Sequence, residues 1–555
     1  MPAYLRKKIY LPMQFSPVYE TLIWRVFRGT LYKYRTFYAD MPTLRIAESI
    51  FSVYSCCMAN KDTDKTPGQL LSEKLSFEIK NCWETASPAE QDAAFRFAEG
   101  YKAFLDKGKT EREFTALCLD VLKKEGFSCL DEEGTHTRLS PGAKVYKSIR
   151  GKALVLACIG KKPLAEGINI IGAHVDAPRI DLKTGPLYED SGLALFDSHY
   201  YGGIKCYQWT AIPLALHGFV MGRDGQKIDI RLGEEEGDPV FTITDLLPHL
   251  AQEQMEKRVH EFLTGEELDI LAGSQPYPDD KIEEKVKLAI LNILHEKYGM
   301  VEEDFARAEI QFVPAFKARD VGLDRSMIGA YGQDDRCCAY TALCAIRSFT
   351  HSGRERIQGA AAAGIDIPEV PGKTLVCFLS DKEEIGSMGN TGAESRAFEN
   401  FVAELCDRIS DPGTENIPRR VMERSSMLCA DVNAAYDPTY ASVYDKKTAS
   451  YIAGGMALAK YTGRKGKLGG SEANAEFCAK VQYILNKNNV RWQHGNLGKV
   501  DKGGGGTIAL YAANLGADVL DCGIPVLSMH SPFEVISKID LFTTYRAYLA
   551  FFKDA

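Results

Sequence analysis

At 555 residues, 45% hydrophobic and 26% charged, the chain is long enough for more than one structural unit and has the composition of an ordinary globular protein. Its net charge of −8 and pI near 5.8 argue against a general binder of nucleic acid or of an anionic membrane, and no apolar stretch approaches the roughly 20 residues that span a bilayer. The 15 cysteines lie scattered in apolar runs, as at Cys118, Cys158, Cys377, Cys429 and Cys478, without a Cys-x-x-Cys pair, and read as buried thiols of a reducing compartment, the cytoplasm.

Residues 1–57 stand apart. Aromatics such as Trp24, Phe27, Tyr32 and Tyr34 alternate with Arg25, Arg28, Lys33 and Arg35, and acids are few. No apolar core of about 7–15 residues followed by a small-residue cleavage site marks a secretory signal. A membrane-surface segment is one reading; the expectation is a non-native or disordered extension, with Met58 opening the globular part.

From about Ser76 to Leu130, apolar residues recur at spacings of three and four, which predicts helices that stop at Gly126. Two strands follow, and the second runs into His174-Val-Asp176. Alternate residues of an extended chain share a face, so Asp176 can accept a hydrogen bond from the His174 nitrogen that does not bind metal, although such a pair is also common in plain structure. Beyond Tyr200-Tyr-Gly-Gly203 the texture changes to strands at 212–221 and 228–232 joined at Arg223-Asp-Gly, helix-like stretches at 248–260 and 281–297, and a strand from Ala308. These predict an inserted β-rich α+β domain at 205–325, set within a larger, discontinuous domain of residues 58–204 and 326–555.

The chain then alternates helix and strand. Gln333-Asp334-Asp335 leads into an apolar helix, and the strand from Thr374 breaks into Asp381-Lys-Glu383-Glu384-Ile-Gly386. Ser426–Asp431 ends in an acid and the run from Ala517 ends at His530, with helices near 393–409, 471–487 and the C-terminus. Such alternation predicts an α/β fold with a mostly parallel, helix-covered sheet, whose carboxyl edge is where a site belongs.

Four strand ends thus carry His174, Glu384, Asp431 and His530, and Asp334 opens a helix. Two histidines and three carboxylates suit zinc, cobalt or manganese. One bridging carboxylate would give each of two ions a histidine, an acid and room for water, the arrangement of a two-metal hydrolase. Adjacent Glu383 and Glu384 repel each other unless a cation lies beside them, so one can bind metal while the other serves as base; taken alone, the pair reads as a solvated acidic loop. Gly503–Gly506 and Thr507 lack the Lys-Ser/Thr of a phosphate loop and read as backbone lining a peptide site, with Gly506 and Thr507 facing substrate. Lys460, Arg464 and Lys465 either meet a substrate carboxylate or form a solvated basic loop.

From about residue 75 to the C-terminus the chain resembles the aspartyl-aminopeptidase family of zinc metallopeptidases, in a bacterial form. The likeness is carried by Gly172-Ala-His174-Val-Asp176-Ala-Pro178, Tyr200–Gly203 with Trp209, Asp381–Ser387, Ser426–Asp431, Gly505-Gly-Thr507-Ile and Leu527-Ser-Met-His530-Ser531. The resemblance implies the two-zinc exopeptidase fold, with His174, Asp334 and Asp431 on one metal, Asp334, Glu384 and His530 on the other, Glu383 as general base and Asp176 orienting His174. It further implies peptide substrates with a free N-terminus, a homododecamer built from dimers joined through the inserted domain, and His249 reaching into a neighbouring subunit's site. Ala434 stands where many relatives carry histidine, Lys382 replaces a frequent histidine, Asp335 takes a place often held by asparagine, and Tyr461–Gly466 departs from the eukaryotic form; these leave selectivity for an acidic first residue open. An N-acyl amino acid deacylase on the same two-metal core and a non-catalytic assembly protein are the alternatives.

Overall fold

The computed structural model describes residues 65–132, 138–409 and 417–555, so the extension expected at 1–57 lies outside the described residues. Two compact units are distinguished, Met1–Glu78 and Ile79–Ala555. In the first, Thr66 and Gln69 form a reciprocal cap at the start of the helix Pro67–Leu75, which carries proline at its first turn.

The second unit is built on a nine-stranded sheet whose centre is parallel. Asn169–His174 lies between Leu375–Ser380 and Ser426–Ala430, and Asp518–Gly523 follows Ser426–Ala430. Antiparallel pairings add Ala153–Cys158 on one side and Met456–Ala459 on the other. The central strands are buried almost throughout, as continuous apolar runs covered on both faces must be. Alternate residues sort into two cores. Ile171, Cys377 and Leu428 pack with the helices Pro88–Leu105, Gln333–Arg347 and Lys538–Asp554, whereas Ile170, Val376 and Met427 pack with Ala397–Ile409 and Ala509–Asn514. At about 1.5–3 kcal/mol for each large apolar side chain removed from water, these two layers dominate the stability of the sheet.

A seven-stranded antiparallel sheet runs Lys227–Leu232, Leu214–Met221, Ala308–Pro314, Arg179–Asp190, Leu193–Tyr201, Ile270–Gly273 and Thr242–Ile243, and its core is centred on Trp209, Phe196 and Phe312. Sheet membership therefore begins at Arg179, ahead of the boundary expected at 205. The hairpin Arg179–Tyr201 turns at Ser191-Gly192, both with positive φ (51° and 76°), and its inward residues join this second core. The helix expected over 248–260 is two short pieces, Gln252–Glu256 and Val259–Phe262.

A third, five-stranded sheet matters most for position. It pairs Met327–Ala330 with Glu534–Ser537, and Glu534–Ser537 with Pro525–Leu527, which carries the 528–533 turn to the start of the helix Gln333–Arg347. Among the described residues no helix is long and apolar enough to cross a membrane, and the thirteen cysteines are unpaired.

Candidate metal centre

Parallel register brings the predicted residues together. His174 pairs with Ser380 across the sheet, and Cys429 with Gly172, so the chain leaves three neighbouring strands at one edge as His174, Asp381–Glu384 and Asp431. After Ser380 the backbone turns through Lys382 (φ 65°) into a single helical turn, Glu383–Ile385, ended by Gly386 (φ 94°), and this sends the two glutamates toward the same centre. Asp334, at the opening of the Gln333–Arg347 helix, and His530, from the third sheet, complete the set.

Donor atoms of His174, Asp334 and Asp431 lie within 4.8 Å of one another, as do those of Asp334, Glu384 and His530. Asp334 is common to both groups: its Oδ1 is 3.3 Å from His174 Nε2 and its Oδ2 is 3.2 Å from His530 Nε2. Glu384 Oε2 is 3.5 Å from His530 Nε2, and Glu383 Oε2 is 4.0 Å from His174 Nε2. Each imidazole is oriented from its other nitrogen. His174 Nδ1–H donates to the Asp176 carbonyl oxygen (3.1 Å) and His530 Nδ1–H to that of Gly203 (2.8 Å). A carbonyl can only accept, so in the neutral ring the Nε2 lone pair faces the acids. His174 Nε2 and Glu384 Oε1 are buried and make no hydrogen bond among the described residues. Lone pairs and carboxylates converging in a buried place fit a divalent cation.

The charges agree with that fit. Burial first, then neighbouring acids, push Glu383 up to about 7 and hold Glu384 and Asp431 well above the usual carboxylate range. Burial would also raise Asp334, but the imidazoles on either side of it outweigh this and hold it low. Burial disfavours a charged His530, yet Asp334 and Glu384 outweigh it and push the ring up to about 11. A cluster of this kind demands positive charge.

Asp176 is buried beneath the centre and does more than orient His174. Its carboxylate accepts the backbone N–H groups of Glu383 (3.1 Å) and Glu384 (3.2 Å) and the Tyr201 hydroxyl (2.8 Å). Tyr201, itself stacked under the Arg179 guanidinium at 3.7 Å, was not singled out from sequence beyond its place in the Tyr200–Gly203 phrase.

Asp334, Glu383, Glu384, Asp431 and His530 open on a cavity of about 840 Å³, walled by Tyr461–Lys465, Leu497–Val500 and Gly503–Thr507. Gly506 and Thr507 line it as expected, and a Cβ on Gly506 would come within 2.7 Å of the Gly469 carbonyl oxygen. The Thr507 hydroxyl donates to Asp521, which ties the glycine loop to the sheet. Two expected residues are placed elsewhere within the chain. Lys460 lies outside the lining because Ala457, Ala459 and Tyr461 take the cavity side of their extended segment; its Nζ is 3.6 Å from Glu472. His249 is exposed in the 244–250 loop, away from this lining.

The family model for aminopeptidase I zinc metalloproteases (M18) matches residues 104–552. A probable M18 family aminopeptidase 1 of Clostridium acetobutylicum is 43% identical over 475 residues, covering 85% of this chain and 98% of that protein. The crystal structure of an M18 aminopeptidase from Thermotoga maritima is 43% identical, with a TM-score of 0.78 over 86% of this chain and 100% of that one. The mApe1 dodecamer of S. cerevisiae shares the fold at 22% identity, with a TM-score of 0.64 over 82% of this chain and 96% of that one. These relatives are aminopeptidases, and they lend nothing to the deacylase or non-catalytic alternatives. Matched along most of its length, the chain belongs to the M18 family of zinc metalloproteases and is a metalloaminopeptidase.

Proposed function

We propose that His174, Asp334 and Asp431 hold one divalent ion and that Asp334, Glu384 and His530 hold a second. The observation that carries this reading is the position of Asp334, which turns one carboxylate oxygen to the Nε2 of each histidine. Zinc is the metal the family points to, and cobalt or manganese would suit the same mixed nitrogen and oxygen donors. Bound there, the ions would polarise the scissile carbonyl and acidify the attacking water. Glu383 opens on the cavity and is the base: it takes the proton of that water and passes it to the leaving amine. Asp176 holds the His174 ring by its Nδ1 side and fixes both glutamates through their backbone N–H groups.

The substrates are peptides with a free N-terminus, whose ammonium group suits an acid-rich floor. Arg464 and Lys465 on the wall make no ion pair among the described residues and favour an acidic first residue. A panel of free and N-acylated aminoacyl chromogenic substrates, assayed after chelation and reloading with zinc, cobalt or manganese, tests this directly. Equal turnover of the N-acylated compounds would contradict it.

Assembly belongs to the same reading. The 205–325 segment joins dimers into a homododecamer and presents His249 to a neighbour's site. Leu246, Leu247 and Leu250, each more than half exposed, flank His249, and the yeast mApe1 of like fold is a dodecamer. Mixing His249→Ala chains with Glu383→Gln chains would then recover part of the activity, whereas a fully active monomer would refute the shared site. With the described cysteines unpaired, the cytoplasm is the compartment we assign.

A further inference from the structure

We propose that Glu534 is a positioning residue that locks His530 to the opening of the Asp334 helix, and so sets the second of the two ion sites; the inference rests on the two-ion reading above. Glu534 faces Ala330 across the third sheet and is only 1% exposed. Its Oε2 accepts the backbone N–H groups of Gln333 (2.6 Å) and Asp334 (3.1 Å), and its Oε1 accepts that of His530 (2.7 Å). The Gln333 amide nitrogen donates in turn to the Glu534 carbonyl oxygen at 2.6 Å.

Two features make this carboxylate more than a structural filler. Gly332 supplies no side-chain cap, and Asp334 and Asp335 leave the helical conformation (ψ 111° and 24°), so the N–H groups of the irregular segment that leads into the helix and carries a metal-ligand candidate are met from a strand 200 residues away. At the other oxygen, His530 sits in the left-handed region (φ 64°), which a non-glycine residue holds only when its surroundings enforce it. No cationic side chain pairs with Glu534 among the described residues; its three donors are backbone N–H groups on the two segments that must meet.

The chemistry of the amide makes a directional test. A glutamine has one accepting oxygen, which goes to the side with two donors, Gln333 and Asp334. Its NH2 group then faces the His530 N–H, donor against donor, so the His530 side loosens while the helix opening stays capped. Glu534→Gln should therefore weaken one ion by about 10–100-fold in chelator-competition titrations and leave the other near its wild-type affinity. The cobalt-loaded enzyme should show a changed visible d–d spectrum, and excess metal should restore turnover. Glu534→Asp, which keeps two oxygens but cannot reach both segments, should lose the same ion, and it serves if the glutamine variant does not fold. Two ions held at wild-type affinity, equal weakening of both, or failure of both variants to fold would overturn the role of Glu534 alone. A wild-type chain that holds fewer than two ions would instead bring down the two-ion reading, and this proposal with it.

Discussion

Among the described residues, two buried clusters mix histidine with carboxylates, and they differ in what balances the charge. Between the helix Glu111–Lys124 and the strand Leu214–Met221, His217 Nδ1 meets Glu113 at 2.7 Å and its Nε2 meets Glu234 at 3.1 Å. Lys109 Nζ adds bonds to Glu234 (2.6 Å) and to the carbonyl oxygens of Pro314 and Phe316. Two nitrogen donors, His217 and Lys109, face two acids there, and Glu234 Oε2 is the one buried side-chain atom of the group left without a hydrogen bond among the described residues. At the candidate metal centre, His174 and His530 face Asp334, Glu383, Glu384 and Asp431, and the acids are in excess. The first cluster is complete as protein; the second lacks positive charge. A buried histidine beside acids is thus no sign of a metal in itself: the balance of donors and acceptors decides.

Metal removal should break the comparison most sharply. Chelation of the purified enzyme should abolish activity, and zinc should restore it, while the Lys109 cluster leaves the fold unaffected; activity that persists after verified removal of metal would contradict the account. Next in size is Glu383→Gln, which should lower turnover by about 10²–10⁴-fold with both ions retained, read by metal analysis beside steady-state kinetics.

The balanced cluster should fail in a different way. Lys109→Ala leaves Glu234 buried with His217 as its sole remaining side-chain partner and should cost about 3–5 kcal/mol in chemical denaturation. Its metal content per folded chain should not change. The smallest effect is a pH dependence. Burial works against a charged His217, but Glu113 and Glu234 outweigh it and hold the ring above its ordinary 6.5. A raised histidine stabilises the folded state fully below about pH 6.5 and less as pH rises through its folded value. The Tm advantage of wild type over His217→Gln should therefore shrink from pH 6 to pH 9; an advantage that grows with pH would reverse the assignment.

That these side chains gather at one edge of the sheet was legible because strand ends are legible. A buried parallel strand is a continuous apolar run, so the polar residue that ends or breaks it, His174, Asp381 or Asp431, marks the sheet edge. What failed to show was orientation and partnership. Lys460 has the right charge in the right loop, but one position on an extended segment turns a side chain to the opposite face, and the sequence around it carries no strong alternation to set the parity. The second sheet begins at Arg179 because Ile180 and Asp181 pair with Phe312 and Gln311, a non-local choice that the charged and polar residues of that stretch disguise. Glu534 is one acid among 75 Asp and Glu residues; only the fold sets it opposite Ala330 and against the backbone of Gln333, Asp334 and His530.

The central claim is that one carboxylate, Asp334, serves both ions. It is tested most directly by titrating zinc into chelator-stripped wild-type and Asp334→Ala proteins of verified fold and counting ions per chain by mass spectrometry. The account predicts two for wild type and none held tightly by the variant, because each site loses a ligand at once. Two ions retained by Asp334→Ala would contradict it.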